Sequence, residues 1–351
     1  MRTWIRPVGA TVLLLAFTVA GAAALQLSES GSTLLYPIMM RWIQAYGPQH
    51  RALTITAAPT GSGAGIRAAL TGDADIGASD AFLSDDQVRD GRLENIPLAV
   101  SAQEIAYNIP ELRDGQPLRL SGQILAGIYD GSIGSWDDRL IVDANPGRTM
   151  PHHAIFPVHR SDGAGDTFLF TQYLSRSVPA WEQRVHFGTT VQWPENPRSL
   201  TGLGNAGVLD TAARVRYSVA YLGISYDARA QAAGLVTAAI ANAEGSFVLP
   251  TADAIAATLR IAKERIPADG RLSLVYVRGR AAYPIVNFEY AIVKTTQSVP
   301  GRAAGLRDFL QWIVAPSGGN DPALLSEVHF LPLPSQARAI ALTQIGSIAG
   351  P

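Results

Sequence analysis

Three times in this chain a β-prone run passes through a small polar turn into the start of a helix: "ESGSTLLYP" (Glu29–Pro37), "PTGSGAGI" (Pro59–Ile66) and "RSDGAGDTF" (Arg160–Phe168). No other feature restricts the fold as much, because strands that alternate with helices imply an α/β sheet. Short β-prone stretches lie at Leu25–Glu29, Leu53–Ala58 and Asp75–Ala78, and apolar residues recur at helical spacing over Leu34–Tyr46 and Ala64–Leu70. Ala99–Asn108 reads as a strand-rich connection, and the first crossing between two lobes is placed there. Beyond it come a strand over Ala154–Arg160, a helix over Asp166–Arg176 and a strand over Val219–Ser225. "YPIVNFEYAIVK", from Tyr283, reads as a strand returning the chain to the first lobe, followed by the amphipathic Arg302–Val314. Two α/β lobes are therefore expected, residues 25–103 with 282–351 in one and 104–281 in the other, and no internal repeat is visible.

The N-terminus runs Met-Arg-Thr-Trp-Ile-Arg, then apolar from Val8 to Val19, then Ala22-Ala23-Ala24. This is the order of a secretory signal peptide, and the apolar run is short for a bilayer span. A mature chain starting near Leu25, exported to the periplasm or secreted, is expected. There is no cysteine, so neither a disulfide nor a lipid-modified N-terminal cysteine is available, and the core must supply the stability. With 351 residues, 47% of them apolar, the chain is large enough to do so. Losing Arg2 and Arg6 with the leader takes 28 basic residues to 26 against 29 acidic ones, a formal charge of −3. That balance argues against nucleic acid or an acidic membrane surface as partner.

The turns suggest chemistry. A helix N-terminus exposes unpaired N–H groups and the positive end of the helix dipole, so it holds anions without lysine, and glycine lets the backbone come close to the ligand. Ordinary capping by Ser, Thr or Asp accounts for any one such turn. Three in one exported chain, one of them preceded by arginine, point to anion binding. The glycine spacing of "GSGAG" (Gly61–Gly65) departs from GxGxxG, and no GxxxxGK[ST] occurs, so a dinucleotide site and nucleotide hydrolysis lack support. Arg160 ends an apolar strand, where its guanidinium could grip a tetrahedral oxyanion or form a surface salt bridge. Asp80, in "GASDAFLS" (Gly77–Ser84), either caps the next turn or faces the ligand. A carboxylate facing an anion repels it unless the anion brings a proton.

In order, "GSTLLYP", "GSGAGI", "IGASDAFLS", "HRSDGAGDTFLFTQYLS" and "YPIVNFEYAIV" closely resemble the phosphate-binding proteins of bacterial phosphate-specific ABC transporters, across nearly the whole mature chain. The resemblance implies a type II periplasmic-binding-protein fold, two hinge-linked lobes closing over one dehydrated phosphate. Carried over by motif, the Thr33 hydroxyl, the Leu34 N–H and Ser62 would contact phosphate, and Asp80 would accept its proton. From the other lobe Arg160 would add charge-assisted bonds, beside backbone N–H groups around Ala164 and Gly165. Many members carry serine at the position of Ala164 and threonine at that of Asp166. Ala164 thus lacks a hydroxyl donor, worth about 1.5–3 kcal/mol to a charged ligand unless a water replaces it. Asp166 would accept a second proton from monobasic phosphate or cap the helix through Phe168. The resemblance further implies membrane permease subunits of an ABC importer as partners, a monomer, no cofactor or metal, and arsenate as a near-isostere of the ligand. Sulfate, fully deprotonated, would leave the buried carboxylate facing a second anion.

A phosphate-ester hydrolase built on Arg160, Asp80 and His159 is the rival of another class. It is disfavoured because His159 and Arg160 are adjacent on a strand and point to opposite faces. His152–His153 sit beside Pro151 in an expected loop, where a surface position is the ordinary reading, and the other histidines show no ligand pattern. An exported relative serving adhesion, secretion or phosphate scavenging stays open. Trp42 and Tyr46, one helical turn apart, read as core.

Overall fold

The computed structural model describes residues 25–113, 115–262 and 266–351, and the leader expected over 1–24 lies outside them. One mixed sheet organises the molecule: β1 (Leu25–Gly31), β2 (Leu53–Ala58), β3 (Ile76–Ser79), β4 (Leu93–Tyr107), β5 (Phe156–Arg160), β6 (Leu200–Gly202), β7 (Ser218–Gly223) and β8 (Val286–Lys294). The strand order is β2-β1-β3-β8-β4-β7-β5-β6, and the short strand Val236–Thr237 also pairs with β4. At one end β2, β1 and β3 run parallel, with Leu27 opposite Ile55 and Ser30 opposite Gly77. At the other, β6, β5 and β7 run parallel. Between them β8 and β4 lie antiparallel.

β4 belongs to both blocks. Leu93–Ala102 pair with β8 and Gln103–Tyr107 with β7, so the hydrogen-bonded neighbour changes between Ala102 and Gln103. A strand covered on both faces reads as a nearly continuous apolar run rather than an alternating one, and β4 is buried along almost its whole length. β8 begins at Val286, three residues after Tyr283, because Pro284 has no N–H to give a ladder. Tyr283 is buried instead, its hydroxyl donating to the Gln103 carbonyl at 2.7 Å.

Five helices matter for the site: α1 (Tyr36–Tyr46), α2 (Ser62–Thr71), α3 (Gly165–Ser177), α4 (Gly204–Arg214) and α5 (Arg302–Val314). α1 buries Ile38, Met39, Trp42 and Tyr46, a single stripe, and the Trp42 indole donates to the Gly319 carbonyl at 2.8 Å. α3 differs, since every residue from Gly165 to Ser175 is buried. Some of its polar side chains are accommodated by hydrogen bonds within the helix, such as Thr171 to the Thr167 carbonyl at 2.6 Å. No helix among the described residues is long and apolar enough to cross a membrane.

Candidate anion site between the two blocks

In open α/β sheets ligands bind beyond the carboxyl ends of parallel strands, and here both parallel blocks present those ends to a common junction. From the first block, β1 ends in the turn Ser32–Leu35. The Ser32 hydroxyl donates to Asp80 Oδ1 and accepts the Leu35 N–H at 2.9 Å. Thr33 Oγ1 accepts from Asn205 of the second block, from Nδ2 at 2.8 Å and from the backbone N–H at 3.2 Å. Leu34 is fully buried, its side chain so close to Gly223 that a methyl there would lie 2.4 Å from Leu34 Cγ. Ser62 opens α2; its hydroxyl lies 3.3 Å from Asp80 Oδ2 and accepts the Asp80 N–H at 3.2 Å. Asp80 follows β3 directly and is 2% exposed.

From the second block, Arg160 ends β5 with its side chain 1% exposed. Nε and Nη2 hold Asp162 side-on at 2.8 and 2.5 Å, and Nη1 donates to Asp166 Oδ2. A guanidinium carries five N–H groups, so two remain for a further acceptor. Asp166 Oδ2 also accepts from Asn205 Nδ2 at 2.9 Å, and the Gln103 amide reaches the Asp166 carbonyl at 2.9 Å. The Asp166 side chain therefore binds other side chains rather than capping at Phe168, whose N–H goes to the Ala164 carbonyl. Ala164 is fully buried and gives its own N–H to the Thr189 carbonyl at 2.8 Å. The amides at this helix start without an intrahelical acceptor are those of Gly165, Asp166 and Thr167.

The blocks touch through glycine. The Gly63 N–H donates to the Gly163 carbonyl at 2.9 Å, and a methyl on Gly165 would stand 2.3 Å from Asp80 Oδ2 and 2.6 Å from Ser62 Oγ. Gly165→Ala should therefore hold the blocks apart and weaken ligand capture by about tenfold or more, since the atoms in the way belong to packed, hydrogen-bonded groups. Unchanged affinity with unchanged small-angle scattering on ligand addition would show that this approach is not needed.

Burial pushes the Asp80 carboxyl up, while hydrogen bonds from Glu289, Ser32 and Ser62 and the charge of Arg160 oppose the rise. Burial lifts Asp166 to about 7, with Arg160 pulling it down and Asp80 adding to the lift. Burial works against ionised Asp162 too, but Arg160 outweighs it and keeps that carboxyl below its ordinary range. One permanent cation thus stands among three acids, with burial pushing Asp80 and Asp166 toward the neutral form and Arg160 favouring the ionised form of Asp162. His159 turns away, stacked on Trp193 at 4.6 Å, and His152 pairs with Asp137 at the surface at 2.6 Å. Among the described residues no group of three or more acids and histidines is placed to hold a metal ion. A cavity of about 520 Å³ lies elsewhere, between Leu249–Ala252 and Pro322–Pro332, and shares no residue with this junction.

Thr33, Ser62, Asp80, Arg160, Gly165 and Asp166 are thus brought together at one junction, and the Ala164 N–H is not free there. Sequence reading missed Ser32, Asp162, Asn205 and Gln103. Asp162 lay inside the quoted arginine motif, and Asn205 sits in "TGLGNAG", another strand, glycine turn and helix start, so a signal existed for both.

Two parallel blocks joined by antiparallel strands, with helix N-termini and one arginine converging between them, define a two-lobed solute-binding protein of the type II periplasmic class. A family model described as a PBP superfamily domain matches residues 18–317. The phosphate-binding protein PstS of Xylella fastidiosa (strain 9a5c) is 33% identical over 312 residues, covering 89% of this chain and 82% of its own. That of Methanocaldococcus jannaschii is 33% identical over 339 residues, covering 91% and 85%. Among solved structures, a high affinity periplasmic phosphate-binding protein (PfluDING) bound with phosphate superposes with a TM-score of 0.70 at 21% identity, over 93% of this chain and 100% of that one. A phosphate binding protein from Stenotrophomonas maltophilia gives 0.69 at 19%, over 91% and 94%. The chain belongs to the PstS family of phosphate-binding proteins.

Proposed function

We propose that the protein binds inorganic phosphate between residues 25–103 with 282–351 on one side and 104–281 on the other, and delivers it to the permease of a phosphate ABC importer. One observation carries the reading. An acceptor-only carboxylate, Asp80, is set opposite a collection of donors: Arg160, Ser62, the amides of α3 and the hydroxyl of Thr33. Such a junction suits an anion that keeps a proton, and phosphate near neutral pH does. Leu34 would add its N–H; Gly165 and Asp166 would supply helix amides. Ala164 shapes the turn without donating. The chemistry is binding, with no bond made or broken. Closure of the blocks excludes water and strengthens each remaining hydrogen bond. The protein works as a monomer in the periplasm after loss of residues 1–24, and arsenate, with similar protonation, enters the same site.

Equilibrium dialysis with labelled phosphate tests the reading: phosphate should be retained one to one and displaced by unlabelled phosphate, but neither by sulfate nor by a phosphate monoester. Displacement by sulfate at similar concentration would overturn it. The pH dependence follows from Asp166. Below about 7 its carboxyl is protonated and neutral beside the anion; above, it ionises and repels. Phosphate affinity should fall as pH rises through about 7, by up to about tenfold per unit for one linked proton, and Asp166→Asn should flatten the slope. The same sign holds for the ligand-free fold: the folded chain keeps this proton where the unfolded chain has lost it, so the contribution of Asp166 weakens between about 4 and about 7.

A further inference from the structure

Beside Asp80 stands a second carboxyl group that the binding scheme does not use. Glu289 lies on β8, antiparallel to β3, where Tyr290 pairs with Ser79. The β8–β4 ladder slips between Glu289 and Tyr290, where Glu289 pairs with Ala99 but Tyr290 with Pro97, which has no N–H to give. A slip of this kind re-aims neighbouring side chains. Glu289 is fully buried. Its Oε1 accepts from the Ser101 hydroxyl and, at 2.9 Å, from Asn287 Nδ2. Its Oε2 is buried with no hydrogen-bond partner among the described residues, and the β8–β3 register, continued by one residue, sets Glu289 across from Asp80. Two carboxyl groups in contact away from water can bond only if one of them carries a proton.

The donors settle which one. Asp80 has Ser32 on Oδ1, Ser62 near Oδ2 and the charge of Arg160 beyond, all favouring its ionised form. Among the described residues no cation pairs with Glu289, and burial first, then the nearby Asp80, pushes it well above the ordinary carboxyl range.

We propose that Glu289 is a positioning residue of the anion site: as a neutral acid it donates its Oε2–H to Asp80, fixing that carboxylate as an oriented, acceptor-only group for the proton of the ligand. The consequence for ligand choice rests on the phosphate reading above; the location of the proton does not.

The test uses two substitutions in the full mature chain. Glu289→Gln reproduces the neutral acid, with an oxygen for Ser101 and Asn287 and an N–H for Asp80, so phosphate affinity should stay within about threefold of the parent. Glu289→Met fills the space without donating, so phosphate affinity should drop about tenfold or more and the preference over sulfate should shrink with it. If the methionine variant, shown by near-ultraviolet circular dichroism to be folded, keeps the parent's affinity and preference, the proposal fails. It fails equally if the glutamine variant is as impaired as the methionine one. Isotope-edited NMR of the glutamate carboxyl carbons decides the proton itself: the parent should show an acid that stays protonated at neutral pH and vanishes in Glu289→Gln. Absence of that signal overturns the proposal even if phosphate binds. Its presence in a protein that ignores phosphate would leave the proton assignment standing and sink the phosphate reading instead.

Discussion

Arg160→Ala should lower phosphate affinity by about a hundredfold to ten-thousandfold, because it removes two charge-assisted hydrogen bonds worth about 1.5–3 kcal/mol each. The same change acts on the fold. Arg160 is the cation that both Asp162 and Asp166 contact, and its side chain is 1% exposed, so the substitution leaves the buried Asp166 and the half-buried Asp162 without their cation, with Asp166 still beside Asp80. Removing one partner of a buried pair destabilises by about 3–5 kcal/mol. This loss should be smaller in mild acid, where Asp166 relieves it by taking a proton. Urea unfolding at two pH values, read beside calorimetric titration, separates the effects. Arg160→Lys should recover stability more than affinity, since an ammonium keeps the charge but cannot hold Asp162 side-on and still present two parallel N–H groups. A folded Arg160→Ala protein that binds phosphate within about tenfold of the parent would remove the guanidinium from the site.

Asp80→Asn should narrow the preference for phosphate over sulfate by about a hundredfold. An ionised carboxylate only accepts, so it rewards the proton of phosphate and repels the bare oxygens of sulfate. An amide in its place can turn its N–H toward either anion. Phosphate binding should weaken and sulfate binding should become measurable. The surroundings tolerate the change sterically, because Ser32 and Ser62 can both accept as well as donate. If the variant binds phosphate as the parent does and still rejects sulfate, selectivity does not come from Asp80.

Much of this was legible in the sequence where a local pattern coincides with a local structure. β2 spans Leu53–Ala58 and α5 spans Arg302–Val314, the bounds that apolar spacing suggests, because alternation and helical recurrence are properties of neighbouring residues. The end of β8 at Lys294 was legible but its start was not, since Pro284 delays a ladder whose partner strand is nearly two hundred residues earlier in the chain. Arg160 and Asp80 stood out at the ends of β-prone runs, and the resemblance added Thr33 and Ser62 within the small polar turns. Residues that complete the site from a distance left weaker traces. Asn205 joins Thr33 across 172 positions and Ser101 reaches Glu289 across 188, and no spacing rule encodes such a pair. What could have drawn the eye to Glu289 is a lone acid in the mostly apolar "YPIVNFEYAIV". A charge in a strand buried on both faces must find a partner.

The most direct measurement is a crystal structure of the mature protein with phosphate at high resolution. One phosphate should lie at the junction, one of its oxygens within hydrogen-bond distance of an Asp80 carboxylate oxygen, the others on Arg160, Ser62, Thr33 and the first amides of α3. A phosphate oxygen that close to an ionised carboxylate must carry the proton between them, and this is the contact sulfate cannot make. Phosphate bound at the junction with Asp80 turned away, or bound at another place on the molecule, would contradict the account.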